Sequence, residues 1–119
     1  MIGKKIWALA DGYMNDTKNG NFESHEAVCV LNLSGKSATV SISVYFEDRE
    51  PLTGFHAVCE NGRTNHIRLD MIENDHGKKI PRGVPYALLI ESDESIVVQH
   101  SRMDVSQAEM ALMTTMAYS

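Results

Sequence analysis

The sequence predicts an all-β fold, a single antiparallel β-sandwich domain of about eight short strands. Short β-branched runs recur at intervals of about 10–15 residues, separated by clusters of Gly, Asn, Asp and Pro. Within Ala38 to Phe46 the side chains alternate: Val40, Ile42, Val44 and Phe46 fall on one face, Thr39, Ser41, Ser43 and Tyr45 on the other. No long stretch of helical period interrupts these runs. At 119 residues, 43% of them apolar, the chain suits one core, because two halves would each bury too little surface.

Taken in order, strand 4–10 carries the apolar run Ile6 to Ala10 behind Lys4 and Lys5. That run is too short for a signal peptide, and no stretch reaches the roughly 18 apolar residues of a membrane span, so a cytoplasmic location is expected. Residues 11–24 read as a loop, with Gly12, Asn15-Asp16 and Asn19-Gly20 as turn signals. Strands 26–33 and 38–47 follow. Strands 54–60 and 63–69 flank Asn61-Gly62, which suits a type I′ hairpin because both central residues must accept positive φ. That register sets Glu60 opposite Arg63, Cys59 opposite Thr64, Ala57 opposite His66 and Phe55 opposite Arg68. Neither face of such a hairpin is plainly polar, which predicts a second covered surface, a subunit interface or a ligand site.

Residues 71–85 form another loop, with Asn74-Asp75, Pro81, Gly83 and Pro85. Strands 86–91 and 95–103 are separated by the acidic stretch Glu91, Asp93 and Glu94, read as a solvated turn. Ser106 and Glu109 have capping-box spacing for a short helical turn, followed by a strand over 111–117. Cys29 and Cys59 sit in apolar-rich runs, the setting of buried free thiols rather than of a disulfide framework.

The formal net charge of −5 disfavours duplex nucleic acid as a partner, since phosphate binding needs a positive field. Arg63, Arg68, Lys78, Lys79 and Arg82 lie close in sequence but read as a solvated face. Three polar sets could carry chemistry: Ser24-His25-Glu26, Arg63 to Arg68, and Gln99 to Asp104. A metal-dependent enzyme would recruit His25, His66 and His100, with Glu26 or Asp104 as carboxylate ligand. The paired-histidine and Cys-x-x-Cys spacings of familiar metal sites are missing, so hydrogen-bonded structural roles are favoured for these histidines. Ser24 and His25 are adjacent, which on a strand sends them to opposite faces, and no nucleophile elbow exists. Neither a catalytic residue, a metal nor a cofactor is assigned. Arg63, Arg68 and Arg102 suit anion, sugar or interface recognition through their planar forks. Trp7 is read as core.

In chain order these motifs resemble the sensory rhodopsin transducer family. The stretches that carry the resemblance run from Trp7 to Tyr13, Ser24 to Asn32, Tyr45 to Pro51, Arg63 to Arg68, Val97 to Asp104 and Gln107 to Leu112, and Tyr118 closes the pattern. Together they span nearly the whole chain. The resemblance implies a cytosolic β-sandwich, a ring-like homotetramer and a non-enzymatic role in binding or signalling. Sugars or related metabolites are the implied ligands, and a membrane receptor's cytoplasmic face is an implied partner; weak DNA binding is a further alternative. The residues expected to bind ligand or line an interface are His25, Glu26, Asn32, Arg63, His66, Arg68, Gln99, His100, Arg102 and Asp104.

Overall fold

Nine strands form in the computed structural model, which describes residues 2–20, 22–105 and 111–119. They are β1 (Lys4–Gly12), β2 (Lys18–Asn19), β3 (Phe22–Glu23), β4 (His25–Asn32), β5 (Ala38–Phe46), β6 (Leu52–Cys59), β7 (Arg63–Arg68), β8 (Tyr86–Asp104) and β9 (Ala111–Met116). All pairings are antiparallel. The first half of β8 lies between β1 and β5, with β6 beyond β5; the second half lies between β4 and β9, with β7 beyond β4. Counted once in each layer, β8 gives two four-stranded sheets that curl into one sandwich. Ribbon β2–β3 stands apart.

Strand β8 departs from the sequence expectation of two strands, 86–91 and 95–103. It is one strand of 19 residues. The acidic stretch that reads as a turn is the bend at which the strand changes sheets, as sandwich corners require. Its polar side chains serve that bend: Asp93 Oδ1 accepts from the Thr39 N–H at 2.8 Å, and Ser92 Oγ accepts from the Glu94 N–H at 3.2 Å.

The expected hairpin at Asn61-Gly62 does not form. β6 pairs with β5 and β7 with β4, so residues 60–63 are a crossing from one sheet to the other. Only Gly62 has positive φ, at 69°, and Asn61 does not, which excludes a type I′ turn. The Arg63 N–H instead closes a four-residue turn on the Glu60 carbonyl at 3.2 Å. The mixed faces of the two strands follow from this crossing. Phe55 and Cys59 enter the core from the first sheet, Ile67 and Leu69 from the second, and Val58 is half exposed. The second covered surface expected from a mixed hairpin therefore loses its premise at this place.

Alternation on β5 is as the sequence predicts, with Val40, Ile42 and Val44 buried and Phe46 packed beside them. Trp7 is also core, and its indole N–H is shared between the Lys4 and Ile96 carbonyls at 3.0 and 3.1 Å. Cys29 and Cys59 are free. Strand 111–117 is present as β9, whereas the helical turn expected at Ser106 and Glu109 lies outside the described residues. Among the described residues no helix is long and apolar enough to cross a membrane.

Candidate functional site

Alternation on β4 sends Glu26, Val28 and Val30 inward, and at Glu26 the core receives a carboxylate instead of a hydrocarbon. A buried carboxylate is tolerable only with its lone pairs occupied. Glu26 Oε2 accepts from the Tyr13 backbone N–H at 2.9 Å and from Arg102 Nε at 2.7 Å. Glu26 Oε1 accepts from His100 Nε2 at 2.9 Å and from the Tyr86 hydroxyl. Arg102 also donates from Nη2 to the Asp11 carbonyl at 3.0 Å, tying the end of β1 to β8.

Burial by itself raises the Glu26 pKa, but donation from His100, Tyr86 and the Tyr13 amide outweighs it and holds the carboxyl below its ordinary value. The Tyr86 phenol is pushed well above its usual range by burial and by the neighbouring Glu26 carboxylate. Burial lowers Arg102, yet Glu26 more than restores it and the guanidinium is held charged. An acid fixed as carboxylate, with both oxygens saturated by donors, has no free lone pair for a proton in transit. This is a locked structural centre.

The ten expected site residues divide among four places. Glu26, His100 and Arg102 form the centre above, and Asp104 lies half-buried at the end of the same strand. His25 and Arg68 lie beside Phe22, Glu23, Asp70, Met71 and Met103 around an open cleft of about 510 Å³. There Arg68 holds Asp70 by two bonds of 2.8 Å, and this pairing outweighs the burial that would raise the Asp70 carboxyl. His66 and Gln99 flank Cys29 in one cross-strand row. Asn32 and Arg63 face each other at the far end of β4, about 20 Å from Glu26 at the strand's rise per residue. Asn32 is a clamp: it donates to the Lys36 and Cys59 carbonyls at 2.7 and 2.8 Å and accepts from Ser34 N–H at 3.0 Å.

His66 lies on the outer face of the second sheet and His100 on its inner face, so the three-histidine set does not converge. Among the described residues no three His, Cys, Asp or Glu side chains are placed to hold a metal. Ser41, His56 and Asp75 do form a chain, with Ser41 Oγ 3.3 Å from His56 Nδ1 and His56 Nε2 3.2 Å from Asp75 Oδ2. The ring is reversed relative to a hydrolase triad, in which the nucleophile faces Nε2, and the group is exposed. It ties the 70–85 loop to the first sheet.

Sequence reasoning missed Tyr86, Arg82 and the Tyr13 amide. Arg82 donates to the Asn15 and Ser24 carbonyls at 2.9 and 2.7 Å and so joins the two long loops. Its one sequence signal was a cation inside a Pro- and Gly-rich loop, which reads equally well as a solvated charge.

A second cleft, of about 400 Å³, separates the edges of β1 and β9, with His100 at its floor. Ala8 and Tyr118 close one end by exchanging backbone hydrogen bonds of 2.7 and 2.9 Å.

The family model described as Anabaena sensory rhodopsin transducer matches residues 2–119. Among solved structures, the crystal structure of Thermotoga maritima 1070 is similar at 34% identity and a TM-score of 0.88, covering 99% of this chain and 96% of that one. The Anabaena sensory rhodopsin transducer is similar at 37% identity and a TM-score of 0.74, covering 83% of this chain and 96% of that one. No curated protein matches the chain.

Proposed function

Because the chain belongs to the Anabaena sensory rhodopsin transducer family, we propose that it is a non-enzymatic, homo-oligomeric binding and signal-transduction module whose recognition surface is the outer face of the second sheet. One observation carries this reading. Among the described strand residues, that face bears no carboxylate, in a chain with 16 Asp and Glu. Its rows run Thr64, Leu31, Val97; then His66, Cys29, Gln99, Met116; then Arg68, Ala27, Ser101, Thr114. Loss of acidic residues around apolar groups, with Arg and Met retained, is the composition of a protein interface.

We further propose assembly as a homotetramer and contact with the cytoplasmic face of a membrane receptor, the receptor contact being supported by the transducer description of the family. The cleft beside His25 and Arg68 is the place for a small polar ligand. Its guanidinium, imidazole, two carboxylates and exposed Phe22 ring offer donors, acceptors and a stacking face that suit a sugar; a small anion would have to displace Asp70 from the Arg68 fork. Light scattering coupled to size exclusion tests the assembly. The wild type should run as an oligomer, and Gln99→Glu, which places a carboxylate at the centre of the face, should shift it toward monomer. A monomeric wild type overturns the assembly. Calorimetric titration with a panel of sugars and anions tests the ligand, and absence of heat for all of them overturns that half.

A further inference from the structure

Strand β9 is unusual in that all six of its residues are exposed, so neither of its faces is covered. Leu112 is 77% and Met116 56% exposed. Its backbone is half-used as well. The Ala117 N–H bonds to the Val98 carbonyl, and the register pairs Thr115 with His100 and Met113 with Arg102. In an antiparallel ladder alternate residues point their N–H and C=O groups to opposite sides. Residues 113, 115 and 117 therefore face β8, and 112, 114 and 116 face away. The turn-away is fixed independently by Tyr118, which bonds to Ala8 on that other side. Beyond this bridge, no described residue takes up the backbone groups of Leu112, Thr114 and Met116.

Natural sheets blunt such an edge with charge, proline or a bulge. Residues 111–119 contain no charged residue, no proline and no glycine. The edge looks into the cleft whose opposite wall is Ala8 and Ala10 of β1. The cleft is about 400 Å³, walled on both sides by this chain and closed at one end by the Ala8–Tyr118 bridge, which favours a single slender segment over the edge of a second copy's sheet as occupant. Asp11, with its side chain 87% exposed, stands at the cleft 3.6 Å from Arg102 Nη2. Because Arg102 is also paired with Glu26, two carboxylates share one guanidinium, and the local charge is negative like the chain's net charge of −5. The methionines of the wall adapt to varied side chains.

We infer that the β9 edge is a strand-addition site for an extended, alternately apolar and basic segment of a partner protein, which pairs with Leu112, Thr114 and Met116 and sets a cation against Asp11. Backbone bonds supply affinity in this mode, and side-chain pockets supply selectivity. The inference rests on the reading of the protein as a binding module and names the class of partner.

The probe is a fluorescein-labelled, lysine-capped peptide of alternating valine and threonine, followed by anisotropy. A glutamate-capped version and one N-methylated along one edge serve as controls. Wild-type protein should bind the lysine peptide and bind both controls at least tenfold more weakly. Thr114→Pro removes an edge-facing N–H while leaving the ladder to β8, and should weaken binding at least tenfold. Slow amide exchange at Met113 and Thr115 verifies that this variant keeps its ladder. Met116→Lys, which leaves the backbone donors in place but adds a repelling charge, should weaken binding likewise. Amides of Leu112, Thr114 and Met116 should exchange fast in the free protein and slowly with peptide. No binding, or binding indifferent to Thr114→Pro, overturns the proposal; so does concentration-dependent protection of those amides without peptide, which would assign the edge to a second copy. Oligomer mass and sugar or anion heats do not read the β9 amides, so failure here is distinct from failure of the function above.

Discussion

Replacing Glu26 by glutamine keeps the shape of the buried side chain and removes its charge. In the wild type each oxygen accepts two donors, and two of the four come from Arg102 and His100. Glutamine offers one acceptor oxygen and one NH2. Its best fit keeps oxygen on Arg102 and the Tyr13 amide and turns the NH2 toward Tyr86 and His100, whose hydroxyl and ring nitrogen would both have to become acceptors. The cost is then the loss of charge on four bonds and an Arg102 whose remaining counter-ion is the exposed Asp11 carboxylate at 3.6 Å. With charge-assisted bonds worth about 1 kcal/mol more than neutral ones, and Arg102 partly solvated, the expected loss is about 3 kcal/mol. That is a large share of the roughly 6–18 kcal/mol expected for a domain of this size. Urea unfolding followed by Trp7, the single tryptophan and a buried one, measures it. The pH dependence has a definite sign. The Glu26 pKa is lowered in the folded state, so its contribution is present above the unfolded value of about 4.5 and is lost as pH falls through the folded value. The gap between wild type and Glu26→Gln should therefore be full at pH 7 and shrink on acidification below about pH 4.5. A gap under about 1 kcal/mol at pH 7, or one unchanged at pH 3, would refute the charged, fully bonded centre.

Three further outcomes are expected. Asn32→Ala removes both donors and the acceptor of the clamp at the sheet crossing and should cost about 2–3 kcal/mol in chemical denaturation; a change within 0.5 kcal/mol, roughly the scatter of neutral surface substitutions, would contradict the clamp. Gly12→Ala would set a Cβ 2.2 Å from Cε1 of the Tyr86 ring, forcing the ring off Glu26, and should lower stability by about 2 kcal/mol. An unchanged thermal midpoint would show that the ring is free to move. The Tyr86 pKa is raised in the folded state, so its contribution is complete below the unfolded value of 10.0 and falls as pH rises beyond it. Tyr86→Phe should remove that part of the alkaline loss, and identical alkaline slopes for both proteins would disprove it.

Much of the fold was legible because alternation is a local signal. Val40, Ile42 and Val44 repeat every second residue, and any pairing that buries one buries all three. The recurrence of β-branched runs placed β1, β4, β5 and β9 within a few residues of their ends. The site was legible only as a set of polar residues on strands. Alternation placed Glu26 and Val28 on one face, but a carboxylate among apolar residues has the same local pattern whether it is solvated or buried. Arg82 and Tyr86 were illegible because they are defined by partners in other loops and strands.

By itself, then, the sequence determined that the chain is a β-sandwich with free thiols and a polar set running through its second sheet, since each of these follows from composition and spacing of near neighbours. The tertiary structure alone decided which strands pair. Asn61-Gly62 has the composition of a hairpin, yet burying Phe55 and Ile67 from opposite layers sends β6 and β7 to different sheets. The stretch from Glu91 to Glu94 has the composition of a turn, yet pairing on both sides carries β8 through it. Glu26 gathers its donors from 13, 60, 74 and 76 residues away. Such contacts depend on long-range register, which no local period encodes.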